Sequence, residues 1–541
     1  MLLVCVLRSV SRQRASCIGV LSQAMLGSSN FEERVFVPIG RKFCSAEINE
    51  KQTRQINYDS QNVEAEYAEA IKALNTLQSN AEAIRTSITA YNTQKPLDDM
   101  YIYLNRSGLH IEEVDKLSVI HVSGTKGKGS TCALTESILR AHGVRTGFFS
   151  SPHLVSVTER IRINGAPISK EKFTRAFWRV FKRLQSASDN VYDMPAYFKF
   201  LTILCFHIFI EEKVDVSILE VGIGGELDCT NIIRNSKIIG ITSLGLEHTN
   251  LLGNSLEEIA WQKAGIIKKN SNVFTTVTQP ECLEVIKKRV AENNAKLYIV
   301  PDFDKYFQDP NTQKLLSNLN NFIKLNGSLA IQLACDWLRN HKNGFHRNYG
   351  INSTSQLSSA IIEGLLYCNW PGRCQKVQYL NFNVHLDGAH TIESMRVCQE
   401  WFKDTTAEST NPKILIFNTT GDRDSKNLMN ILREHNKFAF VCFVPNIATS
   451  SPNINDVQSK LYGSEEQLKR IQVHADVWKS LCAEANEPDN SKVFPTILDS
   501  FAYIQKLYNR TELDVLVTGS LHLIGATILA LNDYKGSTAK T

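Results

Sequence analysis

The residues with the clearest chemical potential stand together in Gly124-Thr125-Lys126-Gly127-Lys128-Gly129-Ser130-Thr131. Glycines at this density let backbone N–H groups curl around phosphate oxygens, and a helix starting here adds the positive end of its dipole. Lys128 supplies a fixed cation, and Ser130 or Thr131 a hydroxyl suited to Mg2+. The spacing departs from the common phosphate loop. Only two residues separate Gly124 from Gly127, and Gly129 intervenes between Lys128 and Ser130. An ordinary glycine-rich turn is the competing reading, and lysine, hydroxyls, strand and helix in one stretch weigh against it.

Other candidates follow downstream at the ends of apolar runs. Ser150-Ser151-Pro152-His153 follows a strand expected at Thr146–Phe149. Glu220 closes a run from Val214, where a phosphate-loop ATPase holds Mg2+ or its water. His248 follows a third run, 237–243, which makes a metal ligand of a residue type that is usually structural. Asp387-Gly-Ala-His390 and Thr420-Gly-Asp-Arg-Asp424 each close a strand and open a helix. Two stretches read as inert: Glu159-Arg160-Ile161-Arg162 as a solvated alternation of charge, and Lys263 as surface charge near a helix end.

The elements that must position these groups are legible from hydrophobic period. Val119, Ile120 and Val122 form a buried strand before the glycines, and Ala133, Leu134, Ile138 and Leu139 open a helix after them. Val63, Tyr67, Ile71 and Leu74 keep helical spacing over 62–77, a second helix is expected over 97–107, and 197–210 is a long apolar helix. A helix at 327–338 is flanked by pattern-poor loops at 301–321 and 340–356. Trp370-Pro371-Gly372-Arg373 then precedes a fresh strand–helix series at 384–387, 414–418, 438–444 and 515–519. Segments near 403–412, 446–465 and 485–492 read as surface loops. The fold class expected is α/β: a phosphate-loop ATPase domain with a mostly parallel sheet over 46–368, and a smaller Rossmann-like α/β domain over 369–541.

With 541 residues, 43% apolar and 21% charged, the chain has material for two or three globular cores. A net charge of +5 without a long basic run gives no argument for nucleic acid. No apolar run approaches the ~20 residues of a membrane span. Thirteen scattered cysteines without a Cys-x-x-Cys pair read as reduced thiols. Residues 1–45 carry Arg8, Arg12 and Arg14 with no acid before Glu32, which reads as a mitochondrial presequence, with a merely disordered tail as the alternative; Met25 offers a second start for a cytoplasmic form.

In order, GTKGKGST, SSPHL, EVGIGGELDCTN, LGLEHTNLLG, WQKAGI, WPGR, LDGAH, TTGDRD and TGSLHL resemble the folylpolyglutamate synthases, eukaryotic type. These belong to the Mur-ligase family of ATP-dependent amide-forming ligases, and the likeness extends from Tyr67 to Ile524. It implies an ADP-forming enzyme that adds L-glutamate to the γ-carboxylate of a reduced folate through an acyl phosphate. Gly124, Thr125, Lys126, Gly127, Lys128, Gly129 and Ser130 are implied to hold ATP, with Asn326 on the adenine. Ser151, Glu220 and His248 are implied Mg2+ ligands. Lys263 matches the family's carbamylated lysine, whose carbamate can orient a second Mg2+. Arg373 and Asp387 are implied to close over the nucleotide with His390 near its phosphates, which makes Lys128, Lys263 and His390 the catalytic set. K+ or another monovalent cation is a further cofactor the resemblance admits, and a monomer is expected. Three of these positions depart from the family: Phe322-Ile323 stand where His-Gln is usual, and Glu247 replaces Asp. The alternatives are a dihydrofolate synthase-type ligase and an ATP-binding protein that has lost ligation.

Overall fold

A computed structural model describes residues 50–78, 95–188, 193–317, 319–341, 349–354, 357–421, 423–449, 464–509 and 511–538. The expected presequence, 1–45, lies outside the described residues. Residues 60–541 form one compact unit, and everything below concerns that unit.

Its first sheet has eight strands: β1 (Val119–Ser123), β2 (Thr146–Phe149), β3 (Ile161–Ile163), β4 (Ala166–Pro167), β5 (Val216–Glu220), β6 (Ile238–Ile241), β7 (Asn272–Thr275) and β8 (Lys296–Ile299). They lie in the order β4-β3-β2-β5-β1-β6-β7-β8. From β2 to β8 the pairing is parallel, and β3 and β4 add an antiparallel edge. Side chains of a strand alternate between faces, so both faces need cover. Val119, Phe149 and Leu219 pack with the helices Lys170–Ser186 and Tyr197–Glu211. Their neighbours Ile120, Phe148 and Ile218 pack on the other face with α1 (Lys128–Ala141) and α3 (Asn321–Asn340). The lead-in helix, Glu50–Thr76, buries Tyr67, Ile71 and Leu74 on the first of these cores. Beyond β6, Ile239, Ile241 and Val273 pack with α2 (Leu256–Ala264) and the helix Pro280–Glu292.

The second sheet contains β9 (Gln375–Tyr379), β10 (Phe382–Asp387), β11 (Lys413–Phe417), β12 (Phe440–Phe443), β13 (Ser491–Val493) and β14 (Leu513–Thr518), in the order β13-β12-β11-β14-β10-β9. Only β9 is antiparallel, and helices cover both faces. The fold is the α/β class expected.

Three local expectations need correction. Residues 159–162 are not a solvated alternation: Arg160, in the turn before β3, and Arg162, where β3 pairs with β2, are 4% and 9% exposed. α3 begins at Asn321 rather than 327, because Asn320 accepts the Ile323 N–H at 2.8 Å and caps the turn. Pro310–Leu316, expected as loop, is a helix whose N–H of Thr312 bonds Asp309. Among the described residues no helix is long and apolar enough to cross a membrane. The described cysteines are free, and most are buried.

Candidate active site

The strand order decides where chemistry can occur. With β2, β5, β1 and β6 parallel and adjacent, their carboxyl ends share one edge. Register sets Val122 beside Glu220 and Ser123 beside Ile241. Ser151, Glu220, the glycine loop and His248 therefore emerge side by side at a topological switch point, where α/β sheets place their ligands. They line a cleft of about 1260 Å3 whose other wall carries Arg373, Asp387 and His390, from the segment before β9 and from the end of β10.

Tight approach explains the loop's glycines. A Cβ at Gly127, whose φ is +90°, would lie 2.1 Å from Asn326 Oδ1. A Cβ at Gly129 would lie 3.0 Å from Trp370 Cζ2 and 3.4 Å from both Glu220 carboxylate oxygens. Gly129 thus separates Lys128 from Ser130 because Glu220 and Trp370 press on that position. The loop is tied to the end of β6: Thr125 N–H donates to Ser243 O at 2.9 Å, and Lys126 Nζ to Glu247 Oε1 at 3.1 Å. The hydroxyls divide their work. Thr131 is buried and donates to Asn326 Oδ1 at 3.2 Å, while Ser130 faces the cleft.

Two lysines converge on one carbonyl. Lys128 Nζ donates to Gly124 O at 3.1 Å and Lys263 Nζ to the same oxygen at 2.8 Å. Lys263 is 2% exposed, which overturns its reading as surface charge. Burial, and then the neighbouring Lys128, lower its pKa to about 7. An amine neutral near physiological pH can react with CO2; an ammonium cannot.

Glu220 is buried, and its Oε2 accepts the Ser151 N–H at 3.0 Å. Burial raises its pKa, opposed by Lys128, that N–H, Arg373 and Arg160. Burial holds His248 toward the neutral imidazole a metal requires. On the facing wall, Asp387 accepts N–H groups of Cys374 at 2.8 Å and Ala389 at 2.9 Å. His390 Nδ1 lies 2.7 Å from Gly388 O, so the proton sits on Nδ1 and Nε2 remains an acceptor. Burial keeps this ring uncharged, with a pKa of about 3.

Mg2+ fits this donor set. It takes one or two carboxylates plus phosphate and water oxygens rather than a full protein cage. That agrees with a buried Glu220 carboxylate held at the cleft by the Ser151 N–H.

The chain is 37% identical to the mitochondrial folylpolyglutamate synthase of Bos taurus, over 87% of its own length and 93% of that protein. It is 41% identical to that of Homo sapiens, over 78% and 75%. The chain belongs to the folylpolyglutamate synthase family. Residues 372–531 match the sequence profile of the dihydrofolate synthetase C-terminal domain. Mycobacterium tuberculosis folylpolyglutamate synthase complexed with ADP superposes with a TM-score of 0.61 at 20% identity, over 87% of this chain and 99% of that one. E. coli FolC in complex with DHPP and ADP gives 0.57 at 24%, over 81% and 94%. Both structures share the two-sheet architecture.

Within this folylpolyglutamate synthase fold, most sequence-predicted residues meet in the cleft. Lys263 and Asn326 lie behind it: Lys263 is 2% exposed on Gly124 O, and Asn326 is 3% exposed, its amide donating to Phe322 O at 2.8 Å while its oxygen takes Thr131. Asn326 braces the loop from behind. Residues that pattern did not single out are Arg160, whose Nε donates to His153 Nδ1 at 2.9 Å, and Arg162, whose guanidinium lies 5.6 Å from the Trp370 ring centroid. The alternation of apolar and charged positions was their signal, with the charged face turned inward.

A clamp on α2 was equally hidden. Arg289 pairs with Glu226 at 2.6 Å and stacks 3.6 Å from the Trp261 ring centroid. Glu226 N–H also donates to Gln262 O at 2.8 Å, next to Lys263. Glu226→Arg is expected to lower turnover about tenfold and Arg289→Glu in the same chain to restore part of it, a coupling of about 1–2 kcal/mol. Steady-state rates of the two single variants and the double variant check this.

Proposed function

We propose that this cleft carries out ADP-forming ligation of L-glutamate to the γ-carboxylate of a reduced folate, and that residues 369–373 join a nucleotide-gripping domain (46–368) to a second domain (369–541). The observation that carries the reading is the convergence of the glycine loop, Glu220 and His248 on one sheet edge, with Lys263 behind the loop on Gly124 O.

A carboxylate is a poor electrophile, so the γ-phosphoryl group of ATP is first transferred to it, giving an acyl phosphate and ADP. The amine of the incoming glutamate then attacks the acyl carbon, phosphate leaves, and the amine loses a proton. The N–H groups of the glycine loop and Lys128 hold the phosphates in line. Ser151, Glu220 and His248 would hold Mg2+, which when bound neutralises charge on the transferred group. Lys263, held on Gly124 O, would as a carbamate supply an anion beside the glycine loop. Arg373 offsets the charge of Glu220 and Asp387 across the cleft. His390 offers Nε2 as an acceptor near the phosphates. Enclosure between the two walls excludes water that would hydrolyse the acyl phosphate.

The protein acts as a monomer in the mitochondrial matrix, with a cytoplasmic form from Met25. K+ or another monovalent cation can accompany Mg2+. Purified chain given ATP, Mg2+, tetrahydrofolate and glutamate is expected to release ADP and phosphate with each glutamate added. Because residues 372–531 match a dihydrofolate synthetase profile, dihydropteroate belongs in the same assay. Turnover with dihydropteroate alone would replace the acceptor, and no folate-dependent ADP release with either would sink the reading.

A further inference from the structure

We propose that Leu154 is a positioning residue that locks the two walls of the cleft in register. Seated between Gly372 and Gly525, it fixes Arg373, Asp387 and His390 relative to Ser151 and Glu220, so that the acyl phosphate meets the glutamate amine before water reaches it. That role rests on the ligase reading of the cleft.

The loop after β2 that carries Leu154 is held fast to the first sheet. Ser150 N–H donates to Arg160 O at 3.0 Å, and Ser151 N–H to Glu220 Oε2 at 3.0 Å. The Glu159 carboxylate then takes the successive N–H groups of Leu154, Val155 and Ser156 at 2.8, 3.0 and 2.8 Å. Arg160 holds His153 from the same side, Nε to Nδ1 at 2.9 Å. With its backbone spent in this way the segment moves as one body with β2 and β3, and Leu154 cannot shift without Ser151.

The Leu154 side chain crosses over and packs on the core of the second sheet, beside α4 (Leu521–Thr538). The fit leaves no room for a side chain on either neighbour. A Cβ at Gly525 would lie 1.9 Å from Leu154 O, and one at Gly372, whose φ is +75°, 3.0 Å from Leu154 Cδ1. Glycine is a poor residue inside a helix, and at Gly525 the backbone contact requires it. Both neighbours lead on to the facing wall. Gly372 O accepts the Gly388 N–H at 3.1 Å. At the start of α4, Leu521 stands so near that a Cβ at Gly388 would lie 2.4 Å from its Cδ2, and 3.2 Å from Arg373 Nη1. A displacement of Leu154 is therefore passed by two routes to Gly388, the residue between Asp387 and the Ala389-His390 turn.

The test uses the full chain with Leu154→Ala, which empties the seat, and Gly525→Ala, which forces it open while placing a better helix former in α4. ADP released and glutamate added are measured with ATP, Mg2+, tetrahydrofolate and glutamate. The unaltered chain should release one ADP per glutamate. Each alanine variant should release more than about two, because acyl phosphate formed between misaligned walls is open to water. A smaller folded fraction would slow both products alike and leave the ratio at one. Leu154→Met refills the seat at similar volume and should restore the ratio. The readout independent of ligation is amide hydrogen exchange in Leu154→Ala, expected to be about tenfold faster at Gly388 as well as in 150–156. A ratio of one in both alanine variants, or unchanged exchange at Gly388, overturns the proposal, and ligation by the unaltered chain then stands without it. If exchange at Gly388 quickens but the unaltered chain adds no glutamate, the ligase reading fails and the seat of Leu154 stands.

Discussion

Lys263→Ala is expected to reduce ligation turnover by about a thousandfold or more, the scale of losing a preorganised charge at a phosphoryl-transfer site, while ADP still binds. The lysine is deep in the protein, on α2, and reaches the site only through Gly124 O. A structural lysine so placed would be replaceable by a neutral group, whereas a carbamate would not. The distinguishing measurement is therefore pH and CO2. With its pKa brought down to about 7 by burial and Lys128, Lys263 is mostly ammonium at pH 6 and mostly amine at pH 8. Carbamate forms from the amine and CO2 with release of a proton, so turnover in CO2-stripped buffer should fall more at pH 6 than at pH 8. Added bicarbonate should restore it. The same shift has a sign for stability: a folded-state pKa below the ordinary lysine value costs stability as pH falls from 10.5 toward 7. Unchanged turnover in Lys263→Ala, or indifference of the unaltered protein to CO2, removes the residue from the mechanism.

How much of this site could be read beforehand depended on where each residue's signal lay. The glycine loop, Glu220 and Asp387 end short β-branched runs, and a strand's end is a local property of sequence. Their convergence follows from strand order, which motif order supported only by resemblance. Lys263 gave no local sign: its helix has mixed polarity, and its burial comes from Gly225, where a Cβ would lie 2.6 Å from Gln262 O and 2.8 Å from Lys263 O. Arg160 and Arg162 were misread for a related reason. Charge on a strand is ordinarily solvated, but here β3 faces the cleft and Trp370, so the charged side is the inner one. Asn326 was placed on the base by family likeness, yet the close approach of Gly127 recruits it as a strut. The misread positions in the site arose from long-range contacts, whereas the strand ends were legible from patterns within one element.

Gly124→Ala carries the other large effect, expected to be lost nucleotide binding together with a drop in stability of about 2–5 kcal/mol from backbone strain and overpacking. The position has φ +142°, and a Cβ there would lie 1.8 Å from Thr242 Oγ1 and 3.0 Å from the Thr242 backbone nitrogen. Relief requires the loop to move away from β6, where Thr125 N–H is anchored on Ser243 O. Any tilt of the Gly124 peptide swings its carbonyl from Lys128 and Lys263 at once. Both lysine positions then change, and Lys263 loses its hydrogen bond to Gly124 O in a buried setting, where an unmet polar group is costly. Thr242→Ala added to Gly124→Ala removes the hydroxyl clash but not the strained φ or the backbone contact. The double variant should therefore regain part of the thermal midpoint and little of the ADP affinity. A single variant that unfolds at the original temperature and binds ADP normally would mean that the Gly124 carbonyl does not organise the two lysines.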